Sequence, residues 1–167
     1  MQGRICCFTG HSIHKLKTDE KTVKEQLEKQ IRISIENGVR TFITGMATGV
    51  DIYAGEVVAE IKKSDPSIRL IAAIPWKGQT MKWSDEWKER HAALLTQCDD
   101  VVIVNEGYKG YHRCFYHVRD RWMVDHSDMV IAYYNGTAGG TQYTMEYARE
   151  KGKELIVIDE MKLAEKD

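Results

Sequence analysis

A short apolar run breaks into a glycine-punctuated loop and then into a helix at 41–51, Thr-Phe-Ile-Thr-Gly-Met-Ala-Thr-Gly-Val-Asp, and no other stretch restricts the chain's fold as much. A strand that ends this way delivers its carboxyl end to a ligand. Gly45 and Gly49 let the backbone turn tightly and approach closely, with helix amides behind them. Tyr-Tyr-Asn-Gly-Thr-Ala-Gly-Gly-Thr at 133–141 repeats the arrangement after another apolar run. Two phosphate-sized cradles in one chain make a nucleotide or nucleotide-derived metabolite the expected ligand.

The flanking sequence supplies the rest of an α/β fold. Apolar runs at 4–9, 40–44, 68–75, 101–104, 129–134 and 154–158 read as strands, and the first suits burial on both faces. Between them lie helical patterns. Val23, Leu27, Ile31 and Ile35 recur four apart in 19–37, which Asn37-Gly38 stops, and Val50, Ala54, Val57, Val58 and Ile61 share a face before Asp65-Pro66. Further helices are expected up to about Gln97, where Trp83 and Trp87 serve packing, at 115–126 and at 140–151, with a charged tail after the last strand. Strands alternating with helices imply a Rossmann-like three-layer α/β/α fold, a mostly parallel sheet of about six strands within one domain spanning 1–167.

Composition narrows the partners. With 24 basic against 25 acidic residues the formal net charge is −1, so no global field draws the chain to nucleic acid or an anionic membrane. Cys6, Cys7, Cys98 and Cys114 show no paired spacing and read as reduced thiols of a cytoplasmic protein. Neither a signal peptide nor a membrane span is expected, and the histidines lack metal-ligand spacing, so no metal is expected.

The candidate ligand residues gather at strand ends. Gly10, His11 and Ser12 follow the first strand; Gly45, Thr48, Gly49 and Asp51 follow the second. Asp51 begins a helix, where a carboxylate either caps or meets a ribose hydroxyl. Gly136, Thr137, Gly139, Gly140 and Thr141 place three glycines and two hydroxyls in six residues, with the Gly139–Gly140 amides and the Thr141 hydroxyl as expected phosphate donors. Trp76 is a candidate base platform, Gln79 a candidate reader of the base edge, and Arg119 a candidate bidentate partner for phosphate.

Cys-Cys-Phe-Thr-Gly-His at 6–11, Thr-Gly-Met-Ala-Thr-Gly-Val-Asp at 44–51, Arg-Asp-Arg-Trp-Met-Val-Asp-His-Ser-Asp at 119–128 and Asn-Gly-Thr-Ala-Gly-Gly-Thr at 135–141 together resemble the bacterial YpsA-like proteins. That family lies within the SLOG superfamily, which joins DprA/Smf and LOG proteins. The resemblance implies a Rossmann-like fold with one cleft at the strand carboxyl ends, nucleotide-class ligands and a sensor or regulatory role. It also implies two alternatives. One is N-glycosidic hydrolysis as in LOG enzymes, whose motif is Pro-Gly-Gly-x-Gly-Thr-x-x-Glu. Here no Pro-Gly-Gly precedes Gly140-Thr141, Thr144 stands at the glutamate position and Glu146 is turned about 200° from it, which leaves Asp51, Glu56 or Glu146 as carboxylates to consider. The other is DprA-like single-strand binding through Lys109, Arg113, Arg119 and Arg121 among tyrosines, disfavoured by the balanced charge. Superfamily relatives also make a homo-oligomer an expectation, with the aromatics near 108–122 as its surface.

Overall fold

A computed structural model describes residues 3–165, so the outermost residues of the expected 1–167 domain lie outside the described part. Six strands form one sheet: β1 (Arg4–Gly10), β2 (Val39–Thr44), β3 (Arg69–Ile74), β4 (Asp100–Ile103), β5 (Met129–Tyr134) and β6 (Glu154–Asp159). The helices are α1 (Glu20–Glu36), α2 (Val50–Ser64), α3 (Asp85–Leu95), α4 (Phe115–Asp125), α5 (Gly140–Glu150) and α6 (Glu160–Ala164). The sheet order is β4-β3-β2-β1-β5-β6 and every pairing is parallel.

Apolar side chains on opposite pleats explain the three layers. Cys6 and Phe8 point into one cluster with Phe42, Leu27 and Val58, beneath α1 and α2, where the Phe8 and Phe42 rings stack with centroids 5.8 Å apart. Cys7 points the other way, into a cluster with Ile43, Val130, Met123 and Ala148 beneath α4 and α5. Burial pushes the Cys7 thiol up to about 12, so it behaves as an inert core group.

Local signals set the helix ends. Asp19 accepts a hydrogen bond from the Thr22 amide at the start of α1, and Gly38 takes the positive φ of 96° that follows its end. The helix α2 is buried on more than the face its apolar spacing gives, since Asp51, Ile52, Tyr53, Gly55 and Ala59 are buried too.

The expected charged tail is a correction. Residues 160–164 are helical, and Glu160 is completely buried. Its Oε2 accepts from the Lys17 amide at 3.0 Å, the Thr18 amide at 3.1 Å and the Thr18 hydroxyl at 2.7 Å. These bonds pin the segment between β1 and α1, and a five-residue helix is too short to show the periodicity that would reveal it.

Neighbouring β1 and β5 lead to opposite edges of the sheet, β1 through α1 to β2 and β5 through α5 to β6. Such a reversal opens a crevice beyond the strand carboxyl ends.

Candidate functional site

A cleft of about 240 Å³ occupies that crevice, lined by residues that include Gly10, His11, Ser12, Lys15, Asp51, Arg119, Asp120, Gly140 and Thr141. Three segments distant in sequence therefore meet: the end of β1, the start of α2 and the start of α5, with α4 as the far wall.

The first glycine loop is filled by protein. A Cβ on Gly45 would lie 2.6 Å from Arg119 Nη1 and 2.7 Å from Asp51 Oδ2. Gly49 has φ 88°, and its Cβ would meet the His11 carbonyl at 2.6 Å. That close approach lets the Val50 amide donate to the His11 carbonyl at 3.3 Å, while the Thr48 hydroxyl accepts from the Ile13 amide at 3.4 Å. Gly10 plays the same part from the other side, since its Cβ would strike Val50. Gly10, Gly49 and Thr48 thus lock the β1 and β2 loops together.

The second loop is open. A Cβ on Gly136 or Gly140 would meet nothing within 4 Å, and one on Gly139 only Lys15 Nζ at 3.6 Å. The chain enters α5 through Gly139 at φ 149°, and no side chain caps the helix, so its first-turn amides stay uncapped by side chains at the cleft. Thr141 is buried at the same mouth. Gly136 and Thr137 stand back from it. The Thr137 hydroxyl donates to Asn135 Oδ1 at 2.6 Å and its amide does so at 3.0 Å, a turn built on the asparagine that precedes it.

His11 is 5% exposed, and its Nε2 accepts from the Asn135 amide at 3.0 Å, which ties the ends of β1 and β5 together. Burial lowers its pKa, with Glu160 opposing, so the ring lining the cleft is held toward its neutral form.

The charged centre of the cleft is a buried arginine between two carboxylates. Arg119 is 4% exposed and donates through Nε to Asp120 at 2.8 Å, and through Nη1 to the carbonyls of Gly45 and Ala73. Burial would lower its pKa, but Asp120 and Asp51 outweigh that and raise it. Asp51 is 5% exposed, its carboxylate accepts a long bond of 3.4 Å from the Ala47 amide, and it is pushed up to about 7 by burial, against the pull of Arg119.

Side-chain direction sets several of the candidate residues apart from the cleft. Gln79 does not present its amide to a base: it is buried, with Nε2 donating to the Gly45 carbonyl at 3.0 Å and Oε1 paired with His91 Nε2 at 3.1 Å. Trp76 lies outside the cleft, in a separate aromatic cavity that shares Tyr116 with it. Glu56 is bound up with Arg90 and Lys24 on the α1–α2–α3 surface, and Glu146 is exposed on α5, so of the three considered carboxylates only Asp51 lines the cleft. Arg119 is buried, away from the exposed Lys109, Arg113 and Arg121, which breaks up the cationic set considered for single strands. Sequence reasoning missed Lys15 and Asp120, one in a polar linker and the other in a charged helix; adjacency to Arg119 was the one available sign for Asp120.

Among the described residues no group of three or more His, Cys, Asp or Glu converges to hold a metal ion, and no helix is long and apolar enough to cross a membrane.

The sequence profile of the YspA SLOG family matches residues 6–163. An uncharacterized SPbeta prophage-derived protein, YoqJ of Bacillus subtilis, is 34% identical over 145 residues, covering 81% of each chain. The UPF0398 protein BH1768 of Halalkalibacterium halodurans is 26% identical over 156 residues, covering 89% of this chain and 82% of its own. Among solved structures, DNA processing protein A of Streptococcus pneumoniae superposes with a TM-score of 0.67 at 18% identity over 92% of this chain, which spans half the length of that protein. The Helicobacter pylori protein, whose structure is described with its single-stranded DNA binding mode, gives 0.66 at 19% identity, over 98% of this chain and 72% of its own. The Moco carrier protein of Chlamydomonas rheinhardtii gives 0.53 at 16%, over 92% of this chain and 74% of its own. At these identities the structural likeness establishes the fold.

Proposed function

The chain belongs to the YspA SLOG family, and on that premise we propose that it binds a nucleotide or nucleotide-derived metabolite, of the ADP-ribose or NAD kind, as a sensor or regulatory module. One observation carries the reading: the open entry to α5, where a Cβ on Gly140 would meet no atom beyond its own turn of helix within 4 Å and uncapped amides face a cleft at the sheet's switch point. A phosphate seats on the Gly139–Gly140–Thr141 turn, with Lys15 beside it to balance its charge. His11, Ser12, Asp51 and Arg119 line the remainder. Arg119 acts by fixing the Gly45 carbonyl and Asp120, and not as a free bidentate clamp.

A thermal-shift screen against AMP, ATP, NAD, ADP-ribose and a short single strand tests the reading. A ligand at about a hundred times its Kd adds roughly 2.7 kcal/mol and raises Tm by about 5–10 °C at this size. Gly140→Asp places a carboxylate on the phosphate position, so the variant is expected to melt like wild type and lose the shift. A wild type that no phosphate-bearing ligand stabilises overturns the proposal. Stabilisation by the single strand alone, falling steeply with salt, would replace it with nucleic-acid binding.

A second reading follows from Asp51, a cleft carboxylate held near neutrality. Cleavage of an N-glycosidic bond needs such a group at the sugar. Base released from a panel of nucleoside monophosphates, and not released by Asp51→Asn, would establish it; no release would remove it.

A further inference from the structure

The switch-point cleft is small for a whole nucleotide. At about 240 Å³ it falls below the roughly 300–1,000 Å³ usual for small-molecule sites. Beside it lies a larger cavity of about 490 Å³, lined by Trp76, Gly78, Gln79, Met81, Lys82, Trp83, Tyr111 and Tyr116. The two share Tyr116, and Gln79, which lines one, and Arg119, which lines the other, both donate to the Gly45 carbonyl.

The wall of this second cavity is built and not merely packed. A Cβ at Gly78 would overlap the six-membered ring of Trp76, so the glycine leaves the indole seated where it borders the cavity. Tyr111 and Phe115 hold the same indole, with centroids 5.7 Å and 6.2 Å from it. Tyr111 remains 52% exposed and Met81 68% exposed, so both stand at an open mouth where the exposed Lys82 also stands.

We propose that this cavity is the base compartment of the same site: it takes the planar heterocycle of a nucleotide whose phosphate lies on the α5 turn. The inference rests on the phosphate reading above and adds where the base goes and how it is read. The walls are aromatic, from Trp76, Trp83, Tyr111 and Tyr116, and the one side-chain amide among the lining residues, Gln79, has both ends engaged inside the protein. Recognition is therefore by stacking, which every base satisfies, and the compartment discriminates little between adenine and guanine.

Titration calorimetry on the full chain with AMP, GMP, ribose 5-phosphate and pyrophosphate separates the two claims. AMP and GMP are expected to bind within about threefold of each other and roughly tenfold or more tighter than ribose 5-phosphate. Trp76→Ala is expected to erase that tenfold advantage and leave ribose 5-phosphate binding unchanged. Tyr111→Ala, at a half-exposed residue at the cavity mouth, is expected to reduce it several-fold. Ribose 5-phosphate binding as tightly as AMP, AMP binding indifferent to both variants, or AMP and GMP differing by more than tenfold would overturn the base compartment while the phosphate site stands. Binding by none of the four probes would overturn the phosphate site and the compartment with it.

Discussion

At Gly45 an added Cβ would lie 2.6 Å from Arg119 Nη1, whereas at Gly140 it would meet nothing within 4 Å. Both glycines belong to loops that join a strand to a helix, and in sequence the second loop differs from the first mainly in carrying more glycine. Their glycines answer different needs. In the β2–α2 loop they let protein approach protein, so that Arg119, Asp51 and the His11 carbonyl occupy the space a side chain would take. In the β5–α5 loop the space is left empty at the mouth of an uncapped helix. A glycine-rich loop is a ligand cradle only where nothing of the protein already fills it.

The sharpest break of that comparison is Gly49→Ala. The residue has φ 88° and its Cβ would strike backbone atoms of residues 11–13, so both strain and overlap follow. A loss of about 2–4 kcal/mol is expected in urea unfolding, and a variant as stable as wild type would show that the loops do not need their close contact.

The next effect belongs to Asp51. Its folded pKa of about 7 stands above the unfolded 3.8, so the folded state holds a proton that the unfolded state releases between these values. Its contribution to stability is present at low pH and lost as pH rises through about 7. Between pH 5 and pH 8 the loss is about 2–3 kcal/mol by linkage, and Asp51→Asn is expected to remove that slope and to melt higher than wild type at pH 8. An unchanged slope would mean that the carboxylate is solvated. For a pyrophosphate ligand such as ADP-ribose, which does not titrate in this range, tighter binding at pH 6 than at pH 8 is the matching sign at the site.

The smallest effect is the most telling. Gly140→Ala has room for its methyl group at the first position of a helix, so stability is expected to hold or to rise by up to about 1 kcal/mol. Any loss of nucleotide binding in that variant then comes from the ligand's side of the loop.

How far the sequence foretells this arrangement depends on what each residue does. The six strands and the helices α1 to α5 follow from apolar spacing and stop signals, because a sheet buried on both faces must be written in apolar runs. The strand order does not follow, since pairing is decided by packing between segments far apart in sequence. The open loop was marked by its excess of glycine. Gln79 and Glu56 were misjudged because a residue's type says nothing of which neighbour it turns toward: Gln79 turns in to Gly45 and His91, and Glu56 turns to Arg90. Asp51 was legible as a helix-start carboxylate, but its burial beside Arg119 depends on α4, about seventy residues further on.

The carboxylate of Glu160 carries a consequence for how the protein is made. Residues 10–18 are synthesised before residue 160, yet the bonds that pin Lys17 and Thr18 come from that residue. At a synthesis rate of about 5–20 residues per second, some seven to thirty seconds separate the two. Until then Lys17 and Thr18 lack this fastening, so the β1–α1 connection is held first at its cleft end, where His11 meets Val50 and Asn135, and only later at its helix end.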